Sequence, residues 1–312
     1  MKGVVIKSTG HLCQVLCSDN KRYSCKIQGK TRLMNIESTN PIAVGDYVQF
    51  SYDDKNDIGV ITNIENRKNY IIRKSVNLSH RSQILASNID LAVLVVTIKN
   101  PITSLNFIDR FLVQAAAYGI EAILIFNKID LHNQELQQTH LRYKKMYEKI
   151  GYETISTSVI SKKNIEKVKQ ALSNKVSVLS GHSGVGKSSI INLIDPHLSL
   201  KTKDISTYHK QGVHTTTFAE MFPLSFGGYI IDTPGIKGLG LIDLDMTVLS
   251  KYFPEMFLES SNCKFKNCIH VNEPNCAVLN AVKSTVIAKS RYKNYLSMLE
   301  TNTNYRQNNY KL

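Results

Sequence analysis

The sequence predicts an α/β protein in three parts: an N-terminal OB-fold β-barrel, a central phosphate-loop domain on a parallel sheet, and a C-terminal helical domain built round a metal-ligating cluster. Three observations predict it. Five short strand patterns, each bounded by turn residues, crowd the first 65 residues. Apolar strands then alternate with amphipathic helices through about residue 245. Near the C-terminus, three cysteines and a histidine fall between Cys263 and Cys276. The division is 1–70, 71–245 and 246–312.

In residues 1–70 the strand patterns are Gly3–Ser8, Leu12–Cys17, Arg22–Ile27, Asp46–Tyr52 and Gly59–Glu65. Turn signals such as Ser18-Asp19-Asn20 and Val44-Gly45-Asp46 separate them. Five short strands in so little chain fit a small closed barrel of the OB type. Such barrels often bind single-stranded nucleic acid through basic and aromatic side chains. Lys21, Arg22, Tyr23, Lys26, Lys30 and Arg32 offer such a face, with a solvated hairpin as the equal alternative. Cys13, Cys17 and Cys25 read as small buried hydrophobes, because no fourth ligand has suitable spacing.

From residue 71 the pattern becomes strand Leu91–Ile98, helix Phe107–Tyr118, strand Ala122–Phe126, helix Gln134–Ile150. This is the signature of a parallel sheet with helices on both faces, where ligands bind beyond the carboxyl ends of the strands. The strongest motif sits there. Gly181-His182-Ser183-Gly184-Val185-Gly186-Lys187-Ser188 fits the GxxxxGK[ST] phosphate loop, with an apolar run before it and an amphipathic run from Ser189 after it. Glycines let backbone N–H groups curl round phosphate oxygens, and the following helix turns its positive end to them. Lys187 is placed to bridge β- and γ-phosphates and Ser188 to ligate Mg²⁺.

Four further motifs follow strands. Asn127-Lys128-Ile129-Asp130 matches NKxD, the guanine-reading motif of GTPases. The Asp130 carboxylate accepts from both guanine N1–H and the 2-amino group. Adenine lacks that amino group and has an acceptor at N1, so it leaves the carboxylate unpaired. The Lys128 stem lies over the base and Asn127 braces the loop. Ser156-Thr157-Ser158 sits where GTPases place a loop that contacts guanine O6 through a backbone N–H; an ordinary Ser/Thr turn is its alternative. Gly212-Val213-His214-Thr215-Thr216-Thr217 reads as a switch loop, with Thr215 or Thr216 completing the Mg²⁺ coordination. Asp232-Thr233-Pro234-Gly235 follows strand Gly228–Ile231. Asp232 holds the Mg²⁺ water shell, and the Gly235 N–H senses the γ-phosphate.

A conventional GTPase runs phosphate loop, switch threonine, DxxG, NKxD, Ser loop. Here NKxD and the Ser loop come first, so the central part is a circularly permuted P-loop GTPase domain. The DxxG loop then runs straight into the C-terminal domain and can transmit nucleotide state to it. One rival is a passive RNA-binding module whose nucleotide site only stabilises the fold, which the intact Lys187, Ser188, Asp130 and Asp232 argue against; the other is a P-loop kinase or an ATPase, and NKxD argues against both.

Downstream, Cys263-x4-Cys268-x-His270-x5-Cys276 supplies three thiolates and an imidazole, a closed tetrahedral set for one structural Zn²⁺. Ala277–Glu300 has a helical pattern whose Arg291, Tyr292, Lys293 and Tyr295 suit either RNA contact or docking. Thr301–Leu312 is Asn-rich and reads as a disordered tail.

There are 39 Lys and Arg against 25 Asp and Glu, a net charge of +14 spread over all three parts. A polyanionic partner, RNA first among them, is the natural reading. No apolar run approaches the ~20 residues of a membrane span, and no hydrophobic core of a signal peptide follows the N-terminal lysine. The expectation is a cytoplasmic protein without a membrane partner.

The combination resembles the RsgA family (also YjeQ or YloQ), circularly permuted GTPases of bacterial small-subunit ribosome assembly. The resemblance spans nearly the whole chain. It rests on Asn88-Ile89-Asp90, Ile108-Asp109-Arg110-Phe111-Leu112, the NKID and phosphate-loop motifs through Ser189, His214-Thr215-Thr216-Thr217, Asp232-Thr233-Pro234-Gly235 and the Cys/Cys/His/Cys set. It implies a monomer that binds GTP and GDP, 16S rRNA and the small ribosomal subunit, acts late in subunit maturation, and leaves after hydrolysis. It also implies that His214 and Lys187 carry catalysis, since Ile236 stands where Ras-like enzymes keep a water-orienting glutamine. The family often has Gln at His182 and an arginine just before His214, where this chain has Gly212-Val213.

Overall fold

The computed structural model describes residues 1–9, 12–27, 42–74, 82–198, 219–232 and 245–309. Strands β1 (Lys2–Ser8), β2 (Leu12–Leu16), β3 (Arg22–Ile27), β4 (Tyr47–Asp53) and β5 (Ile58–Ile64) match the five expected strands to within a residue or two. They pair in the order β1-β2-β3-β5-β4, and β4 returns to β1, closing the OB-type barrel. All neighbours are antiparallel except β3 and β5. Alternation sets its interior: Val5, Val15, Cys25, Val48, Phe50 and Ile61 point inward. Cys13, Cys17 and Cys25 are buried among the described residues, as expected. Burial pushes the Cys13 thiol up to about 12 and Cys25 up to about 11, so both stay inert thiols.

One expectation for the barrel changes. On β3, Arg22 and Lys26 are exposed, but Tyr23 turns inward and packs against Phe50 and Tyr52. A strand alternates sides, so Tyr23 cannot share a face with its basic neighbours. Lys30 and Arg32 lie outside the described residues.

A hairpin that the sequence reading did not separate, β6 (Tyr70–Lys74) and β7 (Ser82–Ser87), follows the barrel. The parallel sheet comes next: β8 (Leu91–Val96), β9 (Glu121–Phe126), β10 (Glu153–Ser156), β11 (Val176–Ser180) and β13 (Tyr229–Asp232), ordered β10-β9-β8-β11-β13. The short β12 (Glu220–Pro223), also unanticipated, pairs antiparallel with β13 and touches β1 through Lys7 and Glu220. All six residues of β8 are buried, as a strand covered on both faces requires. Ala92, Leu94 and Val96 pack towards α1 (Leu105–Ala117) and α2 (Gln134–Lys149). Leu91, Val93 and Val95 pack towards α3 (Ile165–Leu172) and α4 (Lys187–Ile194).

The C-terminal region holds α5 (Pro254–Ser260), α6 (Ala277–Lys283) and α7 (Lys289–Asn309). The expected single helix Ala277–Glu300 is therefore two helices. The break contains Thr285, whose φ of 63° is left-handed and incompatible with continuing an α-helix. In turn, α7 runs on through Asn309, where the sequence had suggested a disordered tail. Once a helix is nucleated and docked, each added residue gains a hydrogen bond, even in a poor sequence.

Candidate nucleotide site and metal cluster

Parallel strands end on one edge, and the motif loops leave from there. The phosphate loop joins β11 to α4. Gly181 has φ 141°, and a Cβ there would lie 2.3 Å from the Val95 carbonyl oxygen. Gly186 has φ 98°, and its Cβ would strike Asn127 Nδ2 at 2.4 Å. Both positions therefore demand glycine, the second because the NKxD asparagine lies directly against it. Lys187 Nζ donates to the carbonyls of Gly181 (2.7 Å) and His182 (2.9 Å), which holds the ammonium inside the curl of the loop. Burial lowers the Lys187 pKa and raises that of Asp232, and each charge partly offsets the other's shift. Asp232, at the end of β13, lines the same small cavity as Lys187. Ser188 is buried at the first turn of α4, while Ser183 and Gly184 are exposed at the loop tip.

The guanine motif is fastened to this loop. Asn127 is buried, donates from Nδ2 to Val185 O (2.8 Å) and accepts at Oδ1 from Thr157 Oγ1 (3.0 Å). Ile129 N donates to Thr157 O (3.2 Å), and Ser158 Oγ donates to Asp130 Oδ1. Thr157 was not singled out by sequence, although it lies inside the Ser156–Ser158 motif. Lys128 is left-handed (φ 62°) and donates from Nζ to Asn100 O (2.7 Å). Asp130 itself is exposed, as a group that must meet a base requires. Phe107 of α1 stacks on His182, with ring centroids 4.0 Å apart. Asn127, Lys128, Asp130, Ser158, the loop 181–189 and Asp232 thus share one edge of the sheet. His214, Thr215, Thr216 and Gly235 lie outside the described residues.

The second cluster is Cys263, Cys268, His270 and Cys276, whose ligand atoms all lie within 4.8 Å of one another. Cys263 Sγ is 3.7 Å from His270 Nδ1 and 3.9 Å from Cys276 Sγ, and His270 Nδ1 is 3.4 Å from Cys276 Sγ. A tetrahedron with Zn–S bonds of about 2.3 Å has edges of roughly 3.8 Å, so the donors fit the metal. The Glu273 carboxylate accepts from the N–H groups of Ile269, Val271 and Asn272, shaping the turn that carries His270.

For α7, the docking alternative holds at three of the four positions. Tyr292 and Tyr295 donate to the carbonyls of His270 (2.8 Å) and Ile269 (2.6 Å). Arg291 is 1% exposed and pairs with Asp109 of α1 (2.7 Å) and Glu255 of α5 (2.7 Å). Two carboxylates hold its guanidinium charge and raise its pKa. Lys293 remains exposed. Asp109 lies in the Ile108–Leu112 segment that carries the family resemblance, but nothing in the sequence paired it with Arg291, and Glu255 had no signal at all.

With the pocket in view, the relatives can be set beside it. The RsgA GTPase family model matches residues 64–242, and the RsgA N-terminal domain model matches 2–61. The chain belongs to the RsgA GTPase family. It is a GTP hydrolase by that membership, with a circularly permuted fold. It is 53% identical over 302 residues to the small ribosomal subunit biogenesis GTPase RsgA of Flavobacterium psychrophilum, covering 96% of this chain and 93% of that one. It is 49% identical to the protein of the same name from Bacteroides fragilis, covering 96% of each. Among solved structures, YjeQ from Thermotoga maritima matches with a TM-score of 0.78 at 34% identity, over 96% of this chain and 97% of that one. YloQ, described as a circularly permuted GTPase, matches at 0.76 and 29%, over 97% and 95%.

Proposed function

We propose that the chain hydrolyses GTP on the small ribosomal subunit during its late maturation, in the cytoplasm, as a monomer that contacts 16S rRNA. The observation that supports this best is Asn127, which joins the guanine-reading loop to the phosphate loop by Nδ2 while holding Thr157 by Oδ1. A pocket joined in this way measures the distance from base to phosphates.

In this reading Asp130 selects guanine, the loop 181–186 wraps the phosphates with backbone N–H groups, and Lys187 neutralises charge developing on the transferred phosphoryl group. Ser188, Asp232 and one of Thr215 and Thr216 would hold Mg²⁺, which would supply charge stabilisation to the phosphates. Gly235 reports that phosphate to the C-terminal region. His214 orients the attacking water when the subunit orders its loop, because Ile236 cannot. Cys263, Cys268, His270 and Cys276 hold one Zn²⁺ as a structural cross-link, and the parts 1–70, 71–245 and 246–312 act as RNA-binding, GTPase and zinc-binding domains.

The test measures binding of GTP and ATP, then phosphate release with and without small subunits. Preference for GTP and release stimulated by subunits is expected. Equal binding of both nucleotides overturns the guanine reading, and binding without release in either condition leaves a passive RNA-binding module. His214→Ala is expected to abolish the stimulation while nucleotide binding persists.

A further inference from the structure

Asp130 must be held in one orientation to read two donors on guanine, yet its own surroundings do little to hold it. It is exposed and sits on a single 3₁₀ turn, Ile129–Leu131. Its support is the Ser158 hydroxyl. Ser158 in turn follows β10, a four-residue strand at the sheet edge that pairs with β9. Short edge strands are the least constrained part of a sheet, because one side of their ladder is unpaired. The backbone beyond β10 is held by Asn164 Nδ2 on Ser156 O (2.7 Å), by Thr157 N on Phe126 O (2.7 Å) and by Lys163 N on Ser158 O (3.0 Å), which leaves the Ser156 side chain as a further point of attachment.

His140 is in that place. It is 6% exposed on α2, and its Nε2 shares a 3.0 Å hydrogen bond with Ser156 Oγ at the last residue of β10. Its ring packs on Phe126, the residue before Asn127, with centroids 5.2 Å apart. The His132 ring, two residues beyond Asp130, meets it edge-on at 5.3 Å. One imidazole therefore touches the residue before the NKxD loop, the first residue of the Ser156–Ser158 loop and a residue that follows Asp130. Burial, with His132, Lys144 and Lys163 nearby, holds the His140 pKa low.

We propose that His140 is a positioning residue for guanine selection, fixing the end of β10 through Ser156 so that Ser158 can orient the Asp130 carboxylate. This rests on the guanine reading above. An isolated structural histidine would stabilise the fold without touching base discrimination, so the readout is the ratio of affinities for GDP and IDP. IDP lacks the 2-amino group and forfeits one of the two hydrogen bonds to Asp130.

The experiment titrates GDP, IDP and ADP against the full chain and the variants His140→Phe, Ser156→Ala and His140→Gln. His140→Phe keeps a ring on Phe126 but loses the hydrogen bond. Ser156→Ala removes the same bond from the other side and leaves the packing alone. Loss of one hydrogen bond of ordinary net strength corresponds to about three- to tenfold. Both variants are expected to shrink the GDP-to-IDP ratio by that factor, and His140→Gln, whose amide can still reach Ser156, is expected to restore much of it. An unchanged ratio in Ser156→Ala overturns the proposal, as does an equal loss for GDP, IDP and ADP in the folded variants. If wild type itself fails to prefer GDP over ADP, the guanine reading fails first, and that result is distinct from both. Should His140→Phe not fold, Ser156→Ala still decides.

Discussion

Arg67 and Arg291 are both buried arginines that hold a carboxylate where parts of the molecule meet. Arg67 donates to both oxygens of Asp46 at 2.6 Å, only 21 residues away, and Asp46 also accepts from Ser87 Oγ (2.6 Å) and Ala43 N (2.8 Å). That joint ties the barrel to the segment that leaves it. Asn88 reinforces it by donating from Nδ2 to Gly45 O (2.9 Å) and accepting from Lys68 N (2.9 Å). Arg291 spans 182 residues to Asp109 and 36 to Glu255, and Tyr147 and Asn294 also donate to Asp109. It ties the metal-cluster helices to the helix that carries Phe107 against the phosphate loop. The lesson is one of chain entropy. A joint between near neighbours closes a short loop, whereas the distant joint forms only when both parts have already folded. The distant joint therefore leans on an additional local constraint, the Cys/His cluster.

Removing that constraint is expected to have the largest effect. Chelation should release one zinc per chain and loosen the region from Cys263 to α7, because binding energy at such sites is on the order of 10 kcal/mol of folding free energy. The check is metal content together with proteolysis of the C-terminal region; a C-terminus that stays protected without metal would break the comparison. Next comes Arg291→Ala, which leaves Asp109 and Glu255 buried without their cation and should cost about 3–5 kcal/mol in chemical denaturation. Arg67→Ala is expected to cost less, about 1–3 kcal/mol, because it strands one carboxylate where Arg291→Ala strands two. A larger loss at Arg67 than at Arg291 would reverse the ranking drawn here. Smallest is Lys7→Ala at the lateral contact between β1 and β12. Lys7 and Glu220 are more than a third exposed, so their pair should contribute under about 1 kcal/mol and fade with added salt.

A pH scan adds a term from the guanine side, outside both joints. Burial pushes the His140 pKa down to about 4, with His132, Lys144 and Lys163 acting in the same direction. The unfolded chain, at about 6.5, binds the proton first, so stability is full above 6.5 and falls as pH drops from there towards 4. His140→Gln should flatten that slope, measured as the difference between wild-type and variant melting curves across the window.

Much of this molecule was legible from residue order alone. The five barrel strands, the parallel sheet and the phosphate loop follow from local patterns of period two and 3.6 and from glycine spacing, which act over a few residues. NKID before the phosphate loop was enough to show the permutation, and the Cys/His spacing was enough to place four donors together. Other features depended on contacts between residues far apart in sequence. Tyr23 turned away from its basic neighbours because the barrel closed on it. Arg291, which by sequence suits RNA contact or docking alike, is a buried anchor because Asp109 and Glu255 arrive beside it only in the folded chain. The same holds for His140, whose meaning comes from Ser156, Phe126 and His132. Local sequence sets which elements form, since propensity and periodicity are short-range. Which polar side chains face solvent and which are enclosed and paired is decided only when the elements pack, because burial is a property of the whole assembly.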